Sequence, residues 1–196
     1  MKLVGKRIGF AITGSFCTFQ QIISPLQALV QAGADVYPIM SQAAYQTDTK
    51  FGSAAHWINM VEGIAGQRII HQLVDAEPIG PGKLLDLIIV APCTGNTLAK
   101  LANAVTDGVV TMAVKAHLRN CRPVLLGIST NDGLGQNAKN LGVLLAAKHF
   151  YFVPFGQDNP SGKPNSLVAN MEQVVAAAEL ALEGRQLQPI LLAAPQ

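Results

Sequence analysis

Short apolar runs alternate along the chain with longer stretches whose apolar positions recur every three to four residues. Arg7 to Ile12 is a compact apolar run of strand type, and Asp35 to Met40 is a second. Between them, residues 19–31 place Ile22, Ile23, Leu26, Leu29 and Val30 on one helical side, and Gly33 follows as a natural stop. Pro25 falls inside this helix and predicts a kink. Residues 54–66 predict an amphipathic helix whose apolar face is Trp57, Met60, Val61 and Ile64. Residues 84–91, LLDLIIVA, are nearly continuous in Leu, Ile and Val, the mark of a strand buried on both faces. Helices are then predicted over 94–103 and 107–118, a fourth strand over 123–128, a helix over 135–148 and a fifth strand over 150–153. The stretch 156–165, GQDNPSGKPN, reads as a turn-rich loop, and 166–182 as a closing Ala-rich helix. Strands alternating with helices imply right-handed crossovers, hence a single α/β domain over 1–196 with a doubly wound parallel sheet and helices on both faces.

Composition narrows the class. A chain of 196 residues with 49% hydrophobic and 13% charged residues is neither disordered nor long enough for two full domains. So little charge leaves apolar surface to be covered, and a homo-oligomer is expected. The net charge of +2, from 14 basic and 12 acidic residues, offers no basic stripe for nucleic acid. Cys17, Cys93 and Cys121 are too scattered for a metal site and fit a reducing compartment. No signal peptide and no apolar run of about 18 residues is seen, so a cytoplasmic protein without membrane contact is expected.

In open parallel sheets, ligands bind beyond the carboxyl ends of the strands. Three such ends carry small polar residues: Thr13-Gly14-Ser15-Phe16, Ser41-Gln42-Ala43-Ala44, and Ala91-Pro92-Cys93-Thr94-Gly95-Asn96-Thr97. Gly14, Ser15, Ser41, Thr94, Gly95, Asn96 and Thr97 are therefore candidate cofactor-binding residues, cradling an anion with hydroxyls and free helix-start amides. The plain alternative is that each is an ordinary helix cap. A nicotinamide fingerprint is missing, because the first loop has one glycine and Asp35 lies at the wrong end of its strand; a Walker A loop is missing too. A hydroxyl rather than a carboxylate at Ser41 favours phosphate over a ribose diol and points to a mononucleotide such as FMN.

Other residues carry two readings each. His71, beside Ile69-Ile70, is either a packed histidine or a proton-transfer group. Asn131, in the turn Asn131-Asp132-Gly133, is either a loop residue or a hydrogen-bonding partner for a ligand carboxylate or flavin edge. Cys93 reads as a small residue in a tight turn more readily than as a nucleophile, and Cys17 and Cys121 as buried thiols. His56, His117 and His149 read as structural, and Lys100 as solvated.

The stretch IVAPCTGNTLAKLANAVTDGVVTMAV resembles the signature of the FMN-binding flavoproteins, which include cysteine-type decarboxylases and flavin prenyltransferases. ITGSF, IMSQAAYQ and PVLLGIS extend the resemblance over most of the chain. It implies a Rossmann-like or flavodoxin-like fold, an FMN site, and His71 and Asn131 as catalytic residues. The stretch STNDGLGQNAKNLGVLLAAKHFYFVPFGQDNP resembles a branch of spore-forming bacteria in which such a chain works beside a nicotinamide-dependent subunit. That branch implies a small dicarboxylate substrate oxidised with NAD or NADP on the partner, in the mother-cell cytoplasm. Two departures from the decarboxylases stand out. Their Pro-x-Met-Asn motif is matched here by Ile128-Ser129-Thr130-Asn131, and their reactive flap Cys has no counterpart in PFGQDNPSGKPN. A non-catalytic scaffold that binds an anion or FMN and docks the partner, or a decarboxylase-like enzyme, are the alternatives.

Overall fold

The computed structural model describes residues 2–193. Seven strands and eight α-helices follow in the order β1 Arg7–Ile12, α1 Phe19–Gln31, β2 Asp35–Met40, α2 Gln42–Gln46, α3 Ala54–Ala65, α4 Leu73–Ala76, β3 Leu87–Cys93, α5 Gly95–Ala102, α6 Val109–Leu118, β4 Val124–Thr130, α7 Ala138–Ala146, β5 Phe150–Phe152, β6 Phe155–Gly156, β7 Leu167–Ala169 and α8 Val174–Leu182. Five strands are parallel, ordered β2-β1-β3-β4-β5. The chain thus moves outward from β1 to β2, then returns past β1 to build β3, β4 and β5 on the other side. The reversal opens a crevice beyond the carboxyl ends of β1 and β3.

Burial explains the sequence pattern. Every residue of β3 is buried, as its unbroken apolar run requires, and β1 is buried from Ile8 onward. On α1, Ile22, Leu26 and Leu29 recur at helical spacing and are at most 1% exposed; burying each contributes about 1.5–3 kcal/mol. Pro25 lies buried inside α1, which continues through it to Gln31. Gly33, at φ +85°, then turns the chain toward β2 in a conformation that favours glycine. Helices α1, α3 and α8 cover one face of the sheet, and α4, α5, α6 and α7 the other. No helix among the described residues is long and apolar enough to cross a membrane.

The closing segment departs from the periodicity. Residues 166–182 do not form one helix: Leu167–Ala169 is β7, and α8 begins only at Val174. β7 pairs antiparallel with the last two residues of β4 and with β6, so residues 157–166 form the tip of a hairpin. Tertiary pairing overrides helical periodicity here because the end of β4 offers unpaired backbone groups that Leu167 and Val168 can complete. Asn170 marks the true start of the helical segment, accepting the Glu172 amide at 3.1 Å.

Candidate functional site

A polar cleft of about 380 Å³ opens at the β1/β3 reversal. It is lined by Thr13 and Gly14 after β1, Ser41 to Ala43 after β2, Thr94, Asn96, Thr97 and Lys100 from α5, and Asp107 to Thr111 leading into α6. Hydrogen bonds fix its walls. The Thr13 hydroxyl donates to the Pro92 carbonyl at 2.7 Å and accepts the Thr94 amide at 3.0 Å, tying the two strand ends together. Thr94 caps α5, its Oγ1 accepting the Thr97 amide at 3.2 Å, and Ser41 caps α2, its Oγ accepting the Ala44 amide at 3.3 Å. The Gly108 amide donates to Thr111 Oγ1 at 3.3 Å, and that hydroxyl donates back to the Gly108 carbonyl at 3.0 Å, locking the start of α6. The cap and anion-site readings of these residues are therefore compatible: the caps hold the walls, while remaining first-turn amides of α5 and α6 lack intrahelical partners and favour an anion.

The cleft gathers Gly14, Ser41, Thr94, Asn96 and Thr97 from the sequence-based candidates. Gly95 stands behind the wall. A Cβ there would lie 2.5 Å from Thr130 Oγ1 and 2.7 Å from both Asn137 Nδ2 and Asp132 Oδ1, so only glycine permits α5 to approach the loop after β4. Those three side chains form a chain of bonds. The Thr130 hydroxyl donates to one Asp132 oxygen at 2.6 Å and the Asn137 amide to the other at 2.8 Å; Asn140 then donates to Asn137 at 2.9 Å, and Asn103 to Asn140 at 3.1 Å. Asn131, next to this network, is exposed and does not line the cleft. Ser15 also points elsewhere: its hydroxyl lies 2.9 Å from Ser129 and 3.1 Å from Thr18, which are themselves 2.8 Å apart. This hydroxyl triangle joins the loop after β1 to the end of β4.

His71 follows an extended segment on the outer edge of β2. The Ile70 amide donates to Pro38 O at 2.9 Å and the Met40 amide to Ile70 O at 3.0 Å. The half-buried imidazole stacks on Tyr45 of α2, with ring centres 3.9 Å apart and planes within 8°. It shares the carboxyl edge of the sheet with the cleft but does not line it.

The thiols reverse two expectations. Cys93 is fully buried and burial pushes its pKa up to about 12, which removes it as a nucleophile despite its place before a helix. Cys17 and Cys121 are exposed, not buried. Cys121 sits in a left-handed turn after α6 and Cys17 in a single 3-10 turn, Phe16–Thr18, before α1. Lys100, expected to be solvated, instead lines the cleft and pairs with Asp107, on the same helical face as Asn96 four residues before it. Asp107 and the start of α6 were not among the sequence-based candidates. No group of three or more His, Cys, Asp or Glu side chains suited to a metal occurs among the described residues.

The model of the flavoprotein family matches residues 1–176. The chain is 50% identical over 190 residues to the B subunit of dipicolinate synthase from Bacillus subtilis strain 168, covering 97% of this chain and 95% of the relative. It superposes on the crystal structure of the dipicolinate synthase B subunit from Bacillus halodurans with a TM-score of 0.92 and 48% identity, over 100% of both chains. The FMN-dependent cysteine decarboxylase SpaF shares the fold at a TM-score of 0.66 and 17% identity, over 92% of this chain and 99% of that one. Sequence and architecture agree, and the chain belongs to the flavoprotein family.

Proposed function

We propose that this chain is the B component of a dipicolinate synthase, working with the A subunit to oxidise dihydrodipicolinate to dipicolinate during sporulation in the mother-cell cytoplasm. The observation that carries this reading is the 50% identity over 97% of the chain to the B subunit of dipicolinate synthase. The oxidation removes a hydride and a proton from the dihydro ring; NAD or NADP on the A subunit takes the hydride. His71, oriented by its stack on Tyr45, is the candidate acceptor of the proton. Asn131, exposed beside the end of β4, is the candidate hydrogen-bond donor to a substrate carboxylate or flavin edge.

The cleft fits the phosphate end of FMN. Its volume falls in the range of roughly 300–1,000 Å³ typical of small-molecule sites, and its donors are hydroxyls and helix-start amides. Bound there, FMN would supply a redox group beside the substrate. The Ser41, Thr94 and Thr97 hydroxyls and the first-turn amides of α5 and α6 would hold its phosphate, with Gly14 leaving room for it. The loss of the decarboxylase Pro-x-Met-Asn pattern, and Ser15 being engaged in the hydroxyl triangle, favour one second reading, a non-catalytic scaffold that binds the anion and docks the nicotinamide-dependent partner. The hairpin tip, residues 157–166, contains no Cys, which argues against decarboxylation of a cysteine substrate by the decarboxylase route.

Reconstitution separates these readings. Dipicolinate formation is measured with each component separately and with the pair, with and without FMN. The pair is expected to exceed either component on its own, and equal rates for the nicotinamide-dependent partner by itself and for the pair would sink the synthase reading. His71→Ala is expected to lower the rate of the pair without shifting the melting temperature; full activity there would leave the scaffold reading. Asn96→Asp, which adds a negative charge at the cleft wall, should weaken FMN binding more than Asn96→Ala does.

A further inference from the structure

Lys100 and Asp107 are the sole cationic and the sole acidic side chains lining the cleft among the described residues. They grip each other. Lys100 Nζ lies 2.9 Å from each Asp107 carboxylate oxygen. The two come from different elements: Lys100 is on the cleft-facing side of α5, and Asp107 immediately precedes Gly108, the cap of α6. The helix starts in the lining favour an anion, yet the pair leaves the side-chain charge of the cleft at zero. The Asp107 carboxyl is held below the usual carboxylate range, chiefly by the hydrogen bond from Lys100, so it is ionised at neutral pH. The pair is also loosely held. Its side chains are 31% and 55% exposed, and ion pairs in that setting are easily exchanged for another partner.

We propose that Asp107 is a built-in competitor for Lys100, occupying the lysine until a phosphate group enters the cleft and takes it over. Asp107 thereby sets the affinity of the cleft for phosphate-bearing ligands and its sensitivity to salt. This role rests on the cleft being a phosphate site, and it deepens that reading by naming what regulates it. Lys100 can make the exchange without unfolding anything: it sits in the last turn of an eight-residue helix whose opposite end already faces the same space, and an ammonium on a flexible stem redirects by rotamer change alone. A phosphate carries more charge than a carboxylate and meets the helix-start amides as well, whereas Asp107 offers Lys100 only its two oxygens.

Calorimetric titration of inorganic phosphate, FMN and riboflavin into wild type, Asp107→Asn, Lys100→Met and the double variant tests this, with circular dichroism as the check on folding. Asp107→Asn is expected to bind phosphate and FMN roughly three- to tenfold more tightly at low salt, the effect of removing one unit charge near the ligand. The gain should shrink as salt is raised, and riboflavin, which has no phosphate, should show none. Lys100→Met should weaken both phosphate ligands, and the double variant should bind like Lys100→Met, without the gain of Asp107→Asn, because Asp107 acts through Lys100. Unchanged or weaker binding by Asp107→Asn, additive effects, or equal tightening for riboflavin would overturn the competitor role while leaving the phosphate site standing. Failure of wild type and Asp107→Asn alike to bind phosphate or FMN would overturn both.

Discussion

His117 shows how a single buried polar residue writes a pH dependence into the fold. It is wholly buried in α6, its Nε2 lies 3.0 Å from the Pro123 carbonyl, and its Nδ1 has no partner among the described residues. Burial pushes its pKa down to about 4 from an ordinary value near 6.5. Above pH 6.5 both folded and unfolded chains hold it neutral and nothing is lost. As pH falls from 6.5 toward 4, only the unfolded chain takes up the proton, so folding is progressively penalised. Urea unfolding at pH 7 and pH 5 should show a loss of about 1–2 kcal/mol from this group, and His117→Asn should remove most of that difference. The cysteines give a second prediction at this scale. A thiol reagent at pH 8 should titrate two thiols in the native protein, Cys17 and Cys121, and Cys93 only after unfolding, since its thiol is buried and un-ionised. Reaction of Cys93 in the native chain would show that the β3–α5 junction opens.

The junction of α5 with the loop after β4 is the element-scale counterpart. Gly95 is helical, where alanine is normally favoured by about 1 kcal/mol. Packing reverses that preference, because an added Cβ would press on Thr130, Asp132 and Asn137, each already committed to a hydrogen bond. Gly95→Ala should destabilise the chain by about 1–3 kcal/mol in denaturant titration. It should also loosen the cleft, because the same helix start carries Asn96 and Thr97. The β6–β7 hairpin joins the sheet through two β4–β7 residue pairs and is anchored by buried Phe155, Leu167 and Ala169. Its place beside Asn131 makes it the element that brings the polar 157–166 tip over the carboxyl edge.

For the whole molecule, the doubly wound order concentrates chemistry on one edge. The cleft, the Tyr45–His71 stack, the hydroxyl triangle and the Asp132 network all lie beyond the carboxyl ends of the parallel strands, where helices begin and their amides are free. The opposite edge is held by ion pairs instead: Asp86 meets Arg7 and Arg122 at 3.6 and 3.2 Å, clamping the starts of β1, β3 and β4. Exposed apolar side chains remain on the surface, Val74 and Val143 among them at 63% and 53%. With so few charged residues overall, light scattering at low micromolar concentration should report an assembly larger than one chain. A monomer at that concentration would mean that these side chains are solvated singly.

The five parallel strands and the longer helices α1, α3, α5, α6 and α7 were legible from sequence, because burial on both faces demands unbroken apolar runs in β3 and helical spacing in α1; the one-turn helices α2 and α4 are too short to show a periodicity. The three hydroxyl-bearing loops were legible for a related reason: helix starts need caps, and caps at strand ends mark the crevice. Only the tertiary structure decided which of those polar residues meet. It turned Ser15 toward Ser129 and away from the cleft, set Asn131 outside it, placed Gly95 behind its wall, and drew Leu167–Ala169 out of a helix into the sheet. It also carried Asp107 to Lys100, seven residues away and on another element. Local pattern reports which face of an element is buried and where it begins. Which groups converge depends on crossovers that bring distant segments together, and no local periodicity encodes that.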